Sequence, residues 1–581
     1  MGFHYAMRLM IERLALAMLC MLTAGSAWAA GEQHQIDAPA AQLLSGVWQS
    51  EPSPRLNGPR AVGIWPGTAF LHALAATGEK PIKFSASGMP EGLKLDEETG
   101  IIAGRLDEPG EHTVKICATN AKGEARMPLH IVAGQSLALT PPMGWNSFDA
   151  YGDGVNEKEF LANAVWFKEH LQPLGYDTVV IDFRWWDPDS MTGKPCRQHL
   201  GAVVDPTDRF GRFQPAVARF PSVAAGQGFK PLADKVHRMG MKFGIHIMRG
   251  IPRYAVKANK RIADSPFTAA DAAMPEGDPN RVCPWCVDMF GVRGNTPAGE
   301  AWYHSIVEQY AAWGVDFVKA DDMSYLASCR PALPGSAQYA AAEITMLEKA
   351  IRTSGRSMVL SLSPGATPLA QARHVAVNAN MWRISPDFWD DWRFLNRGLS
   401  LLMDWSRSGA SGPGHWPDGD MLPVGTLSVG GSPAGPKRRT RYTPAEQVTQ
   451  LTAWCMAPSP LMVGACLAEC DQWTEKLLTN PEVLAVDQDP LGRSACRLQG
   501  GPDQLEVWTR QLEGGAVAVA IFNRTASTVQ ARFSLGALGL DSRIALRDLW
   551  LHKDLDAGQG PDGKIPPHGA LMYLGRVPAK R

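Results

Sequence analysis

The sequence has no excess of charge of either sign: 57 Lys and Arg oppose 58 Asp and Glu, for a formal net charge of −1. That balance argues against a dedicated binder of nucleic acid or of an anionic membrane, which usually carries a basic surplus. No apolar run reaches the ~20 residues that a membrane-spanning helix needs. H-E-x-x-H, EF-hand and Walker A patterns are missing, and Cys283-Pro284-Trp285-Cys286 has no second ligand pair to complete a zinc site. Neither a metal nor a cofactor is expected. Aromatic residues are not scarce: 19 tryptophans and an aromatic fraction of 8% exclude a disordered chain. At roughly 100–200 residues per domain, 581 residues suggest three or four domains.

The first 29 residues read as a secretory signal. Arg8 and Arg13 supply the positive region, Leu14–Leu22 the apolar one, and Ala27-Trp28-Ala29 an A-x-A cleavage site. Export to the periplasm or medium is the expected localisation, without membrane insertion. In an oxidising compartment Cys283/Cys286 and Cys466/Cys470 are candidate local disulfides. The basic run Lys437–Arg441, set among Gly and Pro, reads as a solvated loop.

Three regions follow the signal. Residues 30–134 hold short period-two strands and turns: Ile82–Ala86, Leu93–Leu95, Ile101-Ile102 and His112–Cys117. They suit a small Ig-like β-sandwich with a spacer role. Across 135–490, helical stretches end at a glycine and pass straight into a short apolar strand. This happens at Gly175, Gly240, Gly314 and Gly355, ahead of Thr178–Asp182, Lys242–His246, Asp316–Asp321 and Met358–Ser363. Glycine suits the left-handed position after a helix, and near-continuous apolar strands suit a buried parallel sheet. No G-x-G-x-x-G turn supports a dinucleotide-binding doubly wound sheet. Polar residues at the ends of several strands (Asp182, His246, Asp321, Ser363) instead fit the active face of a (β/α)8 barrel. Thr443-Pro444-Ala445-Glu446 predicts a capped helix start. Residues 491–581 return to period two and predict a C-terminal antiparallel β-domain, with strands over Leu505–Thr509, Ala516–Phe522, Ala531–Leu535 and Leu571–Tyr573.

Cleavage of a glycosidic bond needs two carboxyl groups, one to protonate the leaving oxygen and one to attack carbon or activate water. Asp321 and Asp387 are the candidates. Alternation places Lys319 on the same face as Asp321, where its charge favours the ionised nucleophile. Asp387 lies in Trp382-Arg383-Ile384-Ser385-Pro386-Asp387-Phe388-Trp389, and burial against Phe388 and Trp389 is expected to raise its pKa, as a general acid requires.

Longer motifs carry a family resemblance. They are Pro142-Met143-Gly144-Trp145-Asn146-Ser147, Gly314–Asp321, Trp382–Asp387, Gly412–Leu422 and Thr479–Val486, in this order over about 140–490. They resemble the melibiases of glycoside hydrolase family 27, retaining α-galactosidases and α-N-acetylgalactosaminidases with some relatives acting on other glycosides. The resemblance implies Asp321 as nucleophile and Asp387 as acid/base. It further implies Trp145 as an apolar wall of the sugar subsite, and Asp182, Lys319, Arg383 and Asp420 as ligands of sugar hydroxyls. The sequence also departs from that pattern. Phe183 replaces the second of two adjacent aspartates that contact O4 and O6 of galactose, and His246 stands where many members have tyrosine. Ser363 and Ala366 are small, as in the N-acetylgalactosaminidase type. The expected activity is retaining hydrolysis of a terminal α-galactoside-like residue of an oligosaccharide or glycoconjugate. The alternatives are the same chemistry on an α-N-acetylgalactosaminide or β-L-arabinopyranoside, and a catalytically silent carbohydrate-binding protein.

Overall fold

The computed structural model describes residues 51–190, 205–283, 286–326, 339–430 and 435–577. The signal segment 1–29 and Trp285 lie outside the described residues. At the centre, eight strands run parallel in chain order: β1 (Met143–Asn146), β2 (Thr178–Ile181), β3 (Lys242–Met248), β4 (Phe317–Asp321), β5 (Val359–Leu362), β6 (Met381–Arg383), β7 (Trp416–Asp418) and β8 (Leu461–Val463). Each of β1–β7 pairs with the next except that β7 and β8 sit at the two sheet ends, with β8 on the far side of β1. A parallel bridge from Leu422, just past β7, to Val463 of β8 joins these ends and closes the barrel.

Helices that precede the strands cover the barrel: α1 (Glu157–His170), α2 (Lys230–Arg238), α3 (Pro297–Trp313), α4 (Ala341–Thr353), α5 (Ala372–Asn378), α6 (Trp392–Ser406) and α7 (Pro444–Met456). The α3–β4 turn shows the local logic. Thr296 caps the helix through the Gly299 amide, and Gly314 ends it at φ 83°, a left-handed conformation that a side chain resists. α7 begins with the full capping box read from Thr443 and Glu446.

Alternation sorts the strand residues. Val179, Ile181, Ile245, Val318 and Ala320 face the helices and join the main apolar core. Val180, Phe317, Val359, Met381, Trp416 and Met462 face inward and plug the barrel with a separate apolar layer. Toward the C-terminal strand ends the inward positions turn polar, with Asp182, His246, Lys319, Asp321, Ser363 and Arg383. A packed floor therefore carries a polar mouth.

An N-terminal sandwich packs a four-stranded sheet (Ala61–Ile64, Lys83–Ser87, Gly110–Asn120, Gly123–Ala133) on a three-stranded one (Ala69–Ala73, Leu93–Leu95, Ile101–Arg105). It rests on the N-terminal end of the barrel, where the Trp65 amide donates to Ser357 Oγ at 3.1 Å just ahead of β5. The opposite end of the barrel carries the polar mouth. The C-terminal β-domain is a six-stranded sheet plus a separate pair, Val529–Arg532 with Asp562–Ile565. It packs on α7, with Trp550 Nε1 donating to Thr452 Oγ1 at 3.0 Å. Among the described residues no helix is long and apolar enough to cross a membrane.

Two expectations are corrected. Among the described residues no disulfide forms: Cys466 and Cys470 are free thiols, and Cys466 Sγ meets Tyr151 Oη at 3.1 Å. The run Lys437–Arg441 is not merely solvated. Arg438–Arg439 forms a short strand against Thr426–Leu427. Lys437, Arg438 and Arg439 pair with Glu469, Asp390 and Asp471 respectively.

Candidate active site

β4 ends on Asp321, and the strand beside it delivers its first partner. β3 pairs with β4 so that His246 lies opposite Lys319, which sets the imidazole, Lys319 and Asp321 on one inward face. His246 Nε2 donates to Asp321 Oδ2 at 3.1 Å, and the Asp322 amide donates to Asp321 Oδ1 at 2.9 Å. Burial opposes ionisation of Asp321. The hydrogen bond and charge of His246, the charge of Lys319 and the Asp322 amide outweigh it and hold the carboxyl below its ordinary value. His246 Nδ1, on the far side of the ring, is buried and has no partner among the described residues.

Lys319 makes its direct contact elsewhere. Its Nζ lies 2.9 Å from Asp182 Oδ2, which Asn146 Nδ2 also reaches at 2.7 Å. Burial works against the Asp182 carboxylate, but Lys319, His246 and Asn146 hold it at about 2. Burial likewise opposes the Lys319 charge, and Asp182 and Asp321 together raise its pKa. The nucleophile candidate thus has histidine as its near partner and lysine as a second, shared with Asp182.

Arg383, at the end of β6, is the other hub. Its Nη2 pairs with Asp420 Oδ2 at 2.6 Å and reaches Asp387 Oδ1 at 3.4 Å. Asp420 also accepts the Phe388 amide at 2.7 Å and the Met421 amide at 2.8 Å, from a backbone at φ 93°. Burial, with Asp418 and Asp387 nearby, pushes the Asp420 carboxyl up to about 7 against the pull of Arg383. Asp420, Asp387, Asp418 and Asp321 all act on the Arg383 charge; Asp387 reaches the guanidinium directly, and Asp321 acts on it through space. Below them a cavity of about 20 Å³, lined by Lys319, Ser361, Ser363, Arg383, Asp418 and Asp420 among others, has room for one water.

Two residues depart from the sequence reading. Asp387 is not buried against Phe388 and Trp389: its side chain is 71% exposed, because Phe388 turns into the core while Pro386 and Asp387 stand out at the mouth. Any desolvation of this carboxyl must come from a ligand. Trp145 is not a wall of the mouth. Gly144 and Asn146 take the inward positions of β1, so Trp145 faces the helices, fully buried, 5.9 Å from the Phe160 ring and donating to the Ala465 carbonyl at 2.7 Å. Phe148, three residues on, is the half-buried aromatic at the mouth, with Lys319 Nζ 5.7 Å from its ring centroid. Sequence reasoning missed Phe148 and Asn146. Counting alternate positions back from Asn146 would have placed Trp145 outward.

With this geometry in hand, the comparisons are direct. An "Alpha galactosidase A" family model matches 291–489, an "Alpha galactosidase C-terminal beta sandwich domain" model 502–574, and an Ig-domain model 57–132. A solved β-L-arabinopyranosidase of glycoside hydrolase family 27, from Geobacillus stearothermophilus, is 41% identical. The match covers 76% of this chain and 97% of that one, with a TM-score of 0.69. The chain belongs to glycoside hydrolase family 27. An α-galactosidase from Cyamopsis tetragonoloba is 27% identical over 80% of this chain and 93% of that protein. Human α-galactosidase A is 26% identical over 70% and 80%. This family member is a glycosidase, built as a (β/α)8 barrel between an Ig-like and a C-terminal β-domain.

Proposed function

We propose that this glycosidase hydrolyses terminal α-galactoside-like residues by double displacement, with Asp321 as nucleophile and Asp387 as acid/base. Asp321 attacks the anomeric carbon while Asp387 protonates the departing oxygen. Water then cleaves the glycosyl–enzyme with Asp387 as base. The observation that carries the reading is the Asp321 carboxylate, kept ionised by His246, Lys319 and the Asp322 amide, and near enough to the guanidinium that Asp387 borders for its charge to act there. Exposure of Asp387 suits a group that must meet both a leaving group and incoming water. Asp182, Lys319, Arg383 and Asp420 offer charged acceptors and donors for ring hydroxyls, whose hydrogen bonds to ionised groups are the stronger kind. Proton NMR of the first-formed sugar tests the assignment: it should keep the anomeric configuration of the substrate, and an inverted product would remove the nucleophile role.

Phe183 favours a second reading within the same chemistry, the β-L-arabinopyranoside. That sugar has the galactose ring configuration without the hydroxymethyl group. Phe183 stands where the family pattern has an O6-binding aspartate, and its ring packs 5.3 Å from His246 and 5.9 Å from Trp186. An apolar ring there gives O6 no acceptor, and the 41%-identical relative is itself a β-L-arabinopyranosidase. Nitrophenyl glycosides of the two sugars separate the readings. Phe183→Asp should shift the kcat/KM ratio toward the α-galactoside by about tenfold or more, the effect of supplying or withholding one hydrogen bond to a charged group. An unchanged ratio would remove Phe183 from specificity. We also propose export, resting on the leader-like segment 1–29; N-terminal sequencing of the exported protein should begin at Ala30.

A further inference from the structure

The loop that carries Asp387 continues into a tryptophan that stands apart from the apolar core. Phe388 is buried in the main apolar core and Trp392 packs against it, but among the described residues Trp389, half-buried between them, belongs to no apolar cluster. Its ring neighbour is a cation: the Arg438 guanidinium lies 6.0 Å from the indole centroid. Polar bonds hold the assembly in place. Arg438 Nη2 donates to Asp390 Oδ1 at 2.6 Å, the Arg441 amide donates to Asp390 Oδ2 at 2.7 Å, and Tyr442 Oη donates to the Trp389 carbonyl at 3.1 Å. An indole fixed in this way, yet left out of the core, is a surface prepared for a flat apolar partner.

Its place identifies that partner. Trp389 follows Asp387 by two residues, and two residues of extended chain span at most about 7 Å, comparable to one sugar ring. The indole therefore lies on the same short loop as the acid/base, within reach of what is joined to the oxygen that Asp387 protonates. The Arg438 charge beside the indole is already engaged by buried Asp390, which Arg441 also approaches at 3.8 Å. A pyranose, with C–H groups on its faces and hydroxyls at its rim, matches an indole face backed by a cation.

We propose that Trp389, oriented by Arg438, forms a leaving-group subsite that stacks on a neutral sugar ring. The proposal rests on Asp387 as the acid/base, and the test separates the two. Hydrolysis of a disaccharide bearing the terminal sugar on a second hexose is compared with hydrolysis of the corresponding glycosyl fluoride, whose leaving group needs neither protonation nor a subsite. In Trp389→Ala the ratio of kcat/KM for disaccharide over fluoride should fall about tenfold, the scale of one aromatic stacking contact. Trp389→Phe should retain part of the ratio, and Arg438→Met should lower it by loosening the ring. An equal loss on both substrates would make Trp389 a loop support and overturn the proposal, as would an unchanged ratio. Calorimetry in an Asp321→Ala background gives the same contrast without turnover: adding Trp389→Ala should weaken binding of the disaccharide about tenfold more than that of the free terminal sugar. Equal weakening would refute the subsite. Failure of the wild-type protein to cleave the fluoride would count against Asp321 and leave the calorimetric test of Trp389 decisive.

Discussion

Replacing Lys319 with methionine keeps most of the apolar stem of the side chain and removes the charge that Asp182 and Asp321 share. In the native protein Lys319 Nζ sits 2.9 Å from Asp182 Oδ2, with the two side chains only 13% and 2% exposed. Asp182 is held at about 2 despite its burial. Taken against an ordinary aspartate, that depression stabilises the fold by about 2–2.5 kcal/mol. Because the folded pKa is the lower one, the contribution is complete above about pH 4 and is lost as pH falls toward 2. Without Lys319 burial dominates at Asp182, its pKa rises above the unfolded value, and the sign of the linkage reverses. Breaking a buried pair from one side costs about 3–5 kcal/mol. Urea unfolding of Lys319→Met should therefore show a loss of that size at pH 7 that shrinks toward pH 4, where the variant's Asp182 takes up its proton. The acid limb of kcat/KM should also move to higher pH, since Asp321 loses one of the charges that keeps it ionised. A loss under about 1 kcal/mol at pH 7 with an unmoved acid limb would refute the electrostatic reasoning.

Three further predictions follow from other parts of the molecule. His246→Phe removes the 3.1 Å bond to Asp321; kcat/KM should fall roughly tenfold to hundredfold and its acid limb should rise, both readable from a pH–rate profile. Asp387→Ala should lose most activity on poor leaving groups but retain more on activated aryl glycosides. Added azide should yield the glycosyl azide of retained configuration, identifiable by NMR, and no azide adduct would argue against an acid/base at this position. Trp65→Ala, at the seat of the Ig-like module beside Ser357 and Arg352, should cost about 1–2 kcal/mol of stability as a half-buried aromatic truncation and lower Tm with kcat unchanged.

The barrel was legible because its punctuation is local. Gly314 follows α3 and leads within three residues into β4, whose alternation already set Lys319 and Asp321 on one face. What escaped reading depends on register between distant segments. That His246 bonds Asp321, while Lys319 turns to Asp182, follows from the pairing of β3 with β4 and β2, which neighbours in sequence do not encode. Trp145 was misplaced because all four residues of β1 are buried, so burial gives no contrast between its two faces. Asp387 was expected to be buried because aromatic residues follow it, but only Phe388 turns inward at this loop, and exposure depends on how Pro386 steers the chain. The basic run looked solvated because its acidic partners lie from 32 to 48 residues away in the chain.

The central claim is that Asp321 forms the covalent bond to the sugar. Incubation with 2-deoxy-2-fluoro glycosyl fluorides of the galacto and L-arabino series, followed by proteolysis and mass spectrometry, tests it most directly. The account predicts one label per chain, carried by Asp321 within the Phe317–Asp321 strand and released slowly by water. A label on another residue, or complete turnover of the sugar with no covalent adduct and an inverted product, would contradict it.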